Sequence, residues 1–169
     1  RFLTWNIQGL NDHRILRKVS VYFQRQNIDI AQLQETHLSA GGLRSLAHIM
    51  KGACYNSLFT SNTRGVMLWS RRNSGIKIQE LHVDSEGWYL IVHCCKNTFE
   101  IILVVVYGPN FDCPQFYANL HAILTCYGDV PHLWGGDFNC VLNPDLDHSW
   151  GPPQRPSVAA RTLLDISNR

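Results

Sequence analysis

A chain of 169 residues, 45% of them hydrophobic, can bury a sizeable core and is most simply one soluble, globular domain. No apolar run approaches the roughly 20 residues of a membrane span, and the N-terminal Arg1-Phe2-Leu3-Thr4-Trp5 lacks the layout of a signal peptide, which argues against a membrane protein and a secretory precursor. The net charge of +2 excludes no partner, because a nucleic-acid enzyme can gather its positive charge on one face while the total stays small. The six cysteines show no CxxC pair and no zinc-finger spacing, and most sit inside apolar runs. They are expected to be reduced and buried in an intracellular protein. A first residue other than Met points to an excerpt of a longer chain.

Residues 2–5 form a short apolar run, a strand, that ends in the polar turn Asn6-Ile7-Gln8-Gly9-Leu10-Asn11. Over 14–26 the apolar residues Ile15, Leu16, Val19, Tyr22 and Phe23 recur at three- and four-residue spacing. This predicts an amphipathic helix with Arg14, Arg17 and Lys18 outside and Asn27 as C-cap. Residues 28–33 are the next strand, running into Gln34-Glu35-Thr36-His37. Leu43, Leu46, Ile49 and Met50 predict a short helix after Gly41-Gly42, with strands at 55–59 and 66–69. Residues 76–83 alternate as a half-exposed strand does, with a slip near Glu80. Residues 88–95 and 99–106 flank Lys96-Asn97-Thr98 as a hairpin, whose second arm is apolar from Ile101 to Val106, as a central strand covered on both faces would be. Phe116, Leu120, Ile123, Leu124 and Tyr127 space out another helix, closed by Gly128-Asp129. Residues 132–134 read as the end of a buried strand. Beyond 141 a loop region runs through Gly151-Pro152-Pro153, and Ser157 caps a last helix. Trp5, Trp69, Trp88 and Trp134 are expected in the core. There is no internal repeat or low-complexity tract.

The densest chemistry lies in Gly135-Gly136-Asp137-Phe138-Asn139. The glycines are expected to turn the backbone tightly and admit a ligand at close range. Asp137 and Asn139, two residues apart on an extended segment, would then point the same way, with Phe138 turned back into the core. The pair suits hydrolysis at phosphorus: Asp137 can take a proton from water, and Asn139 can donate a hydrogen bond to charge developing on a phosphate oxygen. A Gly-Gly turn with an Asx cap is the structural alternative. Three other strands end in polar groups: Asn6, Glu35, and Tyr107 with Asn110. Strands running the same way through a layered α/β core bring such ends to one edge, where binding sites collect. There Glu35 offers hard oxygen to Mg²⁺, Asn6 can ligate or orient, and Tyr107 can hydrogen-bond a phosphate oxygen. Taken singly, Asn6 reads as a turn residue, Glu35 as a solvated loop acid and Tyr107 as a core aromatic; the coincidence favours function. His37 is expected to support Glu35 by a hydrogen bond rather than to ligate a metal. Arg71-Arg72 and the Arg14, Arg17, Lys18 face read either as phosphate contacts or as solvated faces.

In this order and at these separations, Trp5-Asn6-Ile7-Gln8-Gly9, Gln34-Glu35-Thr36-His37, Tyr107-Gly108-Pro109-Asn110 and Gly135-Gly136-Asp137-Phe138-Asn139 resemble the endonuclease/exonuclease/phosphatase superfamily. Within it, the chain is most similar to the apurinic-endonuclease-like domain of LINE-1-type non-LTR retrotransposons, a likeness that includes Arg64-Gly65-Val66 and Val141-Leu142-Asn143-Pro144. The resemblance spans almost the whole chain. It implies an α/β fold of the DNase I-like kind, a four-layered sandwich with two central mixed sheets flanked by helices. It also implies an endonuclease that nicks double-stranded DNA in the nucleus with a divalent metal, Mg²⁺ or alternatively Mn²⁺. The freed 3′-hydroxyl would prime reverse transcription by a polymerase domain of the same polyprotein. On the matching positions, Asn6 and Glu35 would serve the metal, Tyr107 and Asn110 the phosphate region, Asp137 the attacking water and Asn139 the transition state.

Family members close with a Ser-Asp-His segment whose Asp and His help hold metal and scissile phosphate, and nothing after Ser157 resembles it. Asp147-His148 falls where the family has a surface loop that often carries Asp-Arg, so His148 is expected to alter contacts to DNA. Residues 1–169 are therefore expected to be one domain of this type, incomplete at its C-terminus, with the last strands missing and activity weak or absent. Two rivals stand beside this reading. One is an abasic-site repair nuclease or an inositol or lipid phosphatase of the same superfamily, which shares the hydrolytic core. The other is a decayed remnant that at most binds a partner.

Overall fold

The computed structural model of the protein describes residues 1–39, 41–59, 63–143 and 156–168. They form two compact units: Arg1–Tyr107 with Val130–Asp137, and Gly108–Asp129 with Phe138–Arg169. In the first, β1 (Phe2–Asn6), β2 (Ile30–Gln34), β3 (Gly52–Ser57) and β4 (Val66–Arg71) make a sheet in the order β1-β2-β4-β3. A second sheet holds β5 (Lys77–Val83), β6 (Tyr89–Lys96), β7 (Phe99–Tyr107) and β8 (His132–Asp137) in numerical order. Both sheets are mixed: β1–β2 and β7–β8 are parallel, and the remaining neighbours antiparallel.

A parallel pair cannot be closed by a tight turn, so a helix bridges β1 to β2. This is α1 (His13–Arg25), capped by the Asp12 carboxylate, which accepts from Arg14 N at 2.7 Å. Leu16, Val19 and Phe23 of α1 join Leu46 and Met50 of α2 (Gly42–Met50) against Ala31, Leu33, Met67 and Trp69 of the first sheet. Strand residues of the opposite parity, Ile30, Val66 and Leu68, meet Leu90, Val92, Cys94, Leu103 and Val105 of the second sheet. The first sheet is thus covered on both faces, which is why β2 is buried at every position. The slip expected near Glu80 is a break in the β5–β6 register between Glu80 and His82.

The second unit contains α3 (Pro114–Thr125) packed against α4 (Val158–Ser167). Ser157 Oγ accepts from Ala160 N at 3.1 Å, as expected of the cap. Asp112 adds a cap from a distance, accepting from Ala159 N at 2.8 Å and Val158 N at 3.1 Å. Those backbone donors, Ala159 first, hold its carboxyl below the usual carboxylate range.

Several expectations need correction. Gln26 rather than Asn27 caps α1, and Asn27 follows it in the left-handed region at φ 53°. Ile15 and Tyr22, placed on the apolar face of α1, are 40% and 42% exposed. Tyr22 packs edge-on against Trp5, which is itself exposed rather than core. Of the four tryptophans expected in the core, Trp69 alone is buried. β3 begins and ends earlier than 55–59. The 132–134 segment opens at an exposed His132 and Leu133 because β8 has a partner strand on one side only. No helix among the described residues is long and apolar enough to cross a membrane.

Candidate active site

The parallel pairing of β1 with β2 sets Asn6 beside Gln34, the last residue of β2. Pairing of β7 with β8 sets Tyr107 beside Asp137. Main-chain bonds continue past the end of β2: Gly9 N donates to Glu35 O at 2.8 Å, Leu10 N to Thr36 O at 2.9 Å, Thr36 N to Gly65 O at 3.0 Å and His37 N to Arg64 O at 2.9 Å. Held from both sides, Glu35 and His37 adopt the left-handed region, φ 51° and 52°. Non-glycine residues rarely do so unless their surroundings enforce it.

The result is a knot of polar groups centred on Asn6. Its Nδ2 donates to Glu35 Oε1 at 2.8 Å and to Asp137 Oδ2 at 2.8 Å, so one carboxamide holds together carboxylates 102 residues apart in sequence, from position 35 to position 137. Asn6 Oδ1 is buried with no hydrogen-bond partner among the described residues. A converged pair of carboxylates and an unsatisfied carbonyl oxygen are hard donors, the set that suits a small divalent cation such as Mg²⁺. On the far side of Glu35, His37 Nε2 stands 3.4 Å from Oε2. Asn11 Nδ2 in turn donates to His37 O.

The glycines of β8 behave differently from the expected turn: the strand runs straight through them to Asp137. They are there for close approach. A Cβ on Gly135 would lie 1.9 Å from Oε1 of the buried Gln32, and one on Gly136 1.9 Å from Val106 O. Nor is the segment after Asp137 extended, since Asn139 sits at φ 47°. In the second unit its Nδ2 donates to Gly108 O at 2.7 Å, Phe138 O accepts from Tyr117 Oη, and Asn110 is exposed. The first unit thus gathers Asn6, Glu35, His37 and Asp137, with Tyr107 at the end of β7; Asn110 and Asn139 belong to the second unit. His148 lies outside the described residues.

Sequence reasoning missed a stack in the first unit. The Arg64 guanidinium lies 3.8 Å over the Trp88 ring and 4.6 Å from that of Phe59, with Glu86 at 3.6 Å. Trp88 stacks on Tyr107 at 5.8 Å between centroids. Arg64 O accepts from His37 N, so a cation pinned on the indole is tied to the segment that carries Glu35. The signal was faint: Arg64 directly before Gly65, and an apolar-looking Trp88.

The sequence matches the Endonuclease/Exonuclease/phosphatase family over residues 3–163. Among solved structures, the AP endonuclease LMAP from Leishmania major superposes with a TM-score of 0.78 at 17% identity, covering 99% of this chain and 65% of that one. The endonuclease domain of TRAS1, a telomere-specific non-LTR retrotransposon, gives 0.70 at 14%, with 99% and 70% covered. An AP endonuclease from Archaeoglobus fulgidus gives 0.69 at 19%, with 98% and 69% covered. The chain therefore spans about two thirds of the length of these proteins.

Proposed function

Because the chain belongs to the endonuclease/exonuclease/phosphatase family, we propose that it is the hydrolytic part of an endonuclease that nicks double-stranded DNA for a non-LTR retrotransposon. The observation that carries the reading is the Asn6 carboxamide bonded at once to Glu35 and Asp137. Glu35 and Asn6 would hold the metal, Mg²⁺ with Mn²⁺ as alternative, through the carboxylate and the unpartnered Oδ1. A divalent cation bound there supplies positive charge that stabilises the phosphate oxygens in the transition state.

The remaining work falls to side chains. Asp137 accepts a proton from a water molecule, whose oxygen attacks phosphorus as the bond to the 3′-oxygen breaks. The Asn6 bond fixes the Asp137 carboxylate for that task. By the resemblance alone, Asn139 is assigned to charge growing on a phosphoryl oxygen and Asn110 to the phosphate region; Tyr107, with its ring held flat on Trp88, has the hydroxyl assigned to that phosphate region. Arg64, held over the Trp88 ring, adds a partly exposed cation for a backbone phosphate, and His37 orients Glu35. His148 is assigned to DNA contact. The freed 3′-hydroxyl would prime a reverse transcriptase carried by the parent polyprotein in the nucleus, a role supported by the likeness to the TRAS1 domain.

Two neighbours are AP endonucleases, which makes abasic-site cleavage the second reading. A duplex oligonucleotide with and without one abasic site, and inositol phosphates, each offered with Mg²⁺, separate the possibilities. Intact and abasic duplexes should be cut with kcat/KM within about tenfold of each other, with inositol phosphates untouched. A preference above about 10³-fold for the abasic duplex would establish the repair reading instead, and turnover of inositol phosphates alone would establish a phosphatase.

A further inference from the structure

Outside the oxygen-rich cluster, the first unit brings together a second set of metal-ligating side chains of different chemistry. His93 and Cys95 are two residues apart on β6 and share one face of the sheet, while Glu100 on β7 pairs directly with Cys95. Their ligand atoms all lie within 4.8 Å of one another. Cys94, between them, points the other way into the core between the sheets, so strand parity leaves one thiol with the imidazole and the carboxylate.

The spacings bring the three donors within a side-chain rotation of one tetrahedral ion. With bonds of about 2.1 Å to nitrogen and oxygen and about 2.3 Å to thiolate, tetrahedral donors stand about 3.4–3.6 Å apart. His93 Nε2 is 3.1 Å from Glu100 Oε2 and 3.7 Å from Cys95 Sγ, which also lies 3.5 Å from His93 Nδ1. The sulfur therefore faces the ring between its two nitrogens, and capture of an ion turns the Cys95 side chain or the His93 ring while the half-exposed Glu100 rotates to follow. The donors are sulfur, imidazole nitrogen and one oxygen, a set that favours Zn²⁺ over Mg²⁺. A thiolate and a carboxylate together match the charge of the ion. Lys77, the β5 residue in register with Cys95, is the one opposing cation among the residues paired with the three ligands.

We propose that His93, Cys95 and Glu100 form a three-ligand Zn²⁺ site on the β6–β7 hairpin, with its fourth position open to solvent. The site is independent of the proposed nuclease reaction. It was hidden in the sequence because its spacing, a Cys-Glu pair across a hairpin, matches no linear zinc motif.

The test is titration of the purified chain with Co²⁺, a spectroscopic stand-in for Zn²⁺, in excess Mg²⁺ to occupy oxygen sites. One equivalent should produce a thiolate-to-cobalt charge-transfer band and the intense visible bands of a tetrahedral ion, both displaced by Zn²⁺. The bands should persist in Asp137→Ala and vanish in Cys95→Ser, whose folding is checked by circular dichroism. His93→Gln should abolish the tetrahedral spectrum without removing the thiol. Absence of the charge-transfer band, or a band that survives Cys95→Ser, overturns the site.

Discussion

At the scale of single residues, Asn6 sets the character of the site. Asp137 and Glu35 would repel one another across so short a gap, and the carboxamide between them supplies the shared donor that makes the pair tolerable. Replacing Asn6 by Ala removes that donor together with the Oδ1 proposed as a metal ligand. The expected result is a fall in kcat for DNA nicking of about 10²-fold or more, with a weakened response to Mg²⁺, read from steady-state rates across metal concentration. Asn6, Glu35 and Asp137 were legible in the sequence because each stands at or just beyond the end of an apolar run. The geometry of Asn139 was not, since nothing in the sequence signals a left-handed residue at that position. Arg64 and Trp88 were also missed, because a cation pinned on an indole is made by tertiary packing of segments more than twenty residues apart.

The thiols are free as expected, but of the six expected to be buried Cys94 alone is; Cys54, Cys95, Cys113 and Cys140 are partly buried and Cys126 is exposed. Burial pushes Cys54 and Cys94 up to about 12, from an ordinary value of 9.0, so the folded state holds their protons more tightly than the unfolded chain does. Their contribution to stability is complete below pH 9.0 and declines as pH climbs towards about 12, which a falling urea midpoint above pH 9.0 would show. Cys126 is exposed. Iodoacetamide at neutral pH should therefore modify Cys126 in the native protein, and Cys54 and Cys94 only on unfolding, as mass spectrometry of the labelled peptides would record.

At the scale of elements, helices were read well and β8 was not. The three- and four-residue spacing of Leu16, Val19 and Phe23, and the Ser157 cap, each describe a local structure that a short window of sequence contains. Gly135-Gly136 reads as a turn for the same local reason, yet the glycines serve a strand pressed between Gln32 and Val106. The two substitutions should differ in kind. In Gly136→Ala the new Cβ meets backbone at φ 151°, with nothing nearby able to yield, and stability should fall by about 3 kcal/mol. In Gly135→Ala the obstacle is the end of the Gln32 side chain, which can rotate, so the loss measured by thermal unfolding should be smaller.

At the scale of the molecule, the alternation of inward and outward residues on β2 and β4 builds the first unit. One parity meets α1 and α2, and the other meets the second sheet. The sequence showed that such strands exist and that β7 is covered on both faces. It did not show that β2 pairs with β4, or that β8 closes on β7, because pairing partners 40 and 30 residues apart, as for Ile30 with Ser70 and Ile102 with His132, leave no periodic trace. The family motifs supplied that long-range order, since their polar ends only make chemical sense if they converge.

The most direct test of the central claim is conversion of supercoiled plasmid to open circles by the purified chain with Mg²⁺, with chelator, and as Asp137→Ala. The account predicts slow nicking that stops on chelation and falls by about 10³-fold or more in the substituted protein. Nicking that persists with chelator, or that survives Asp137→Ala, would contradict it.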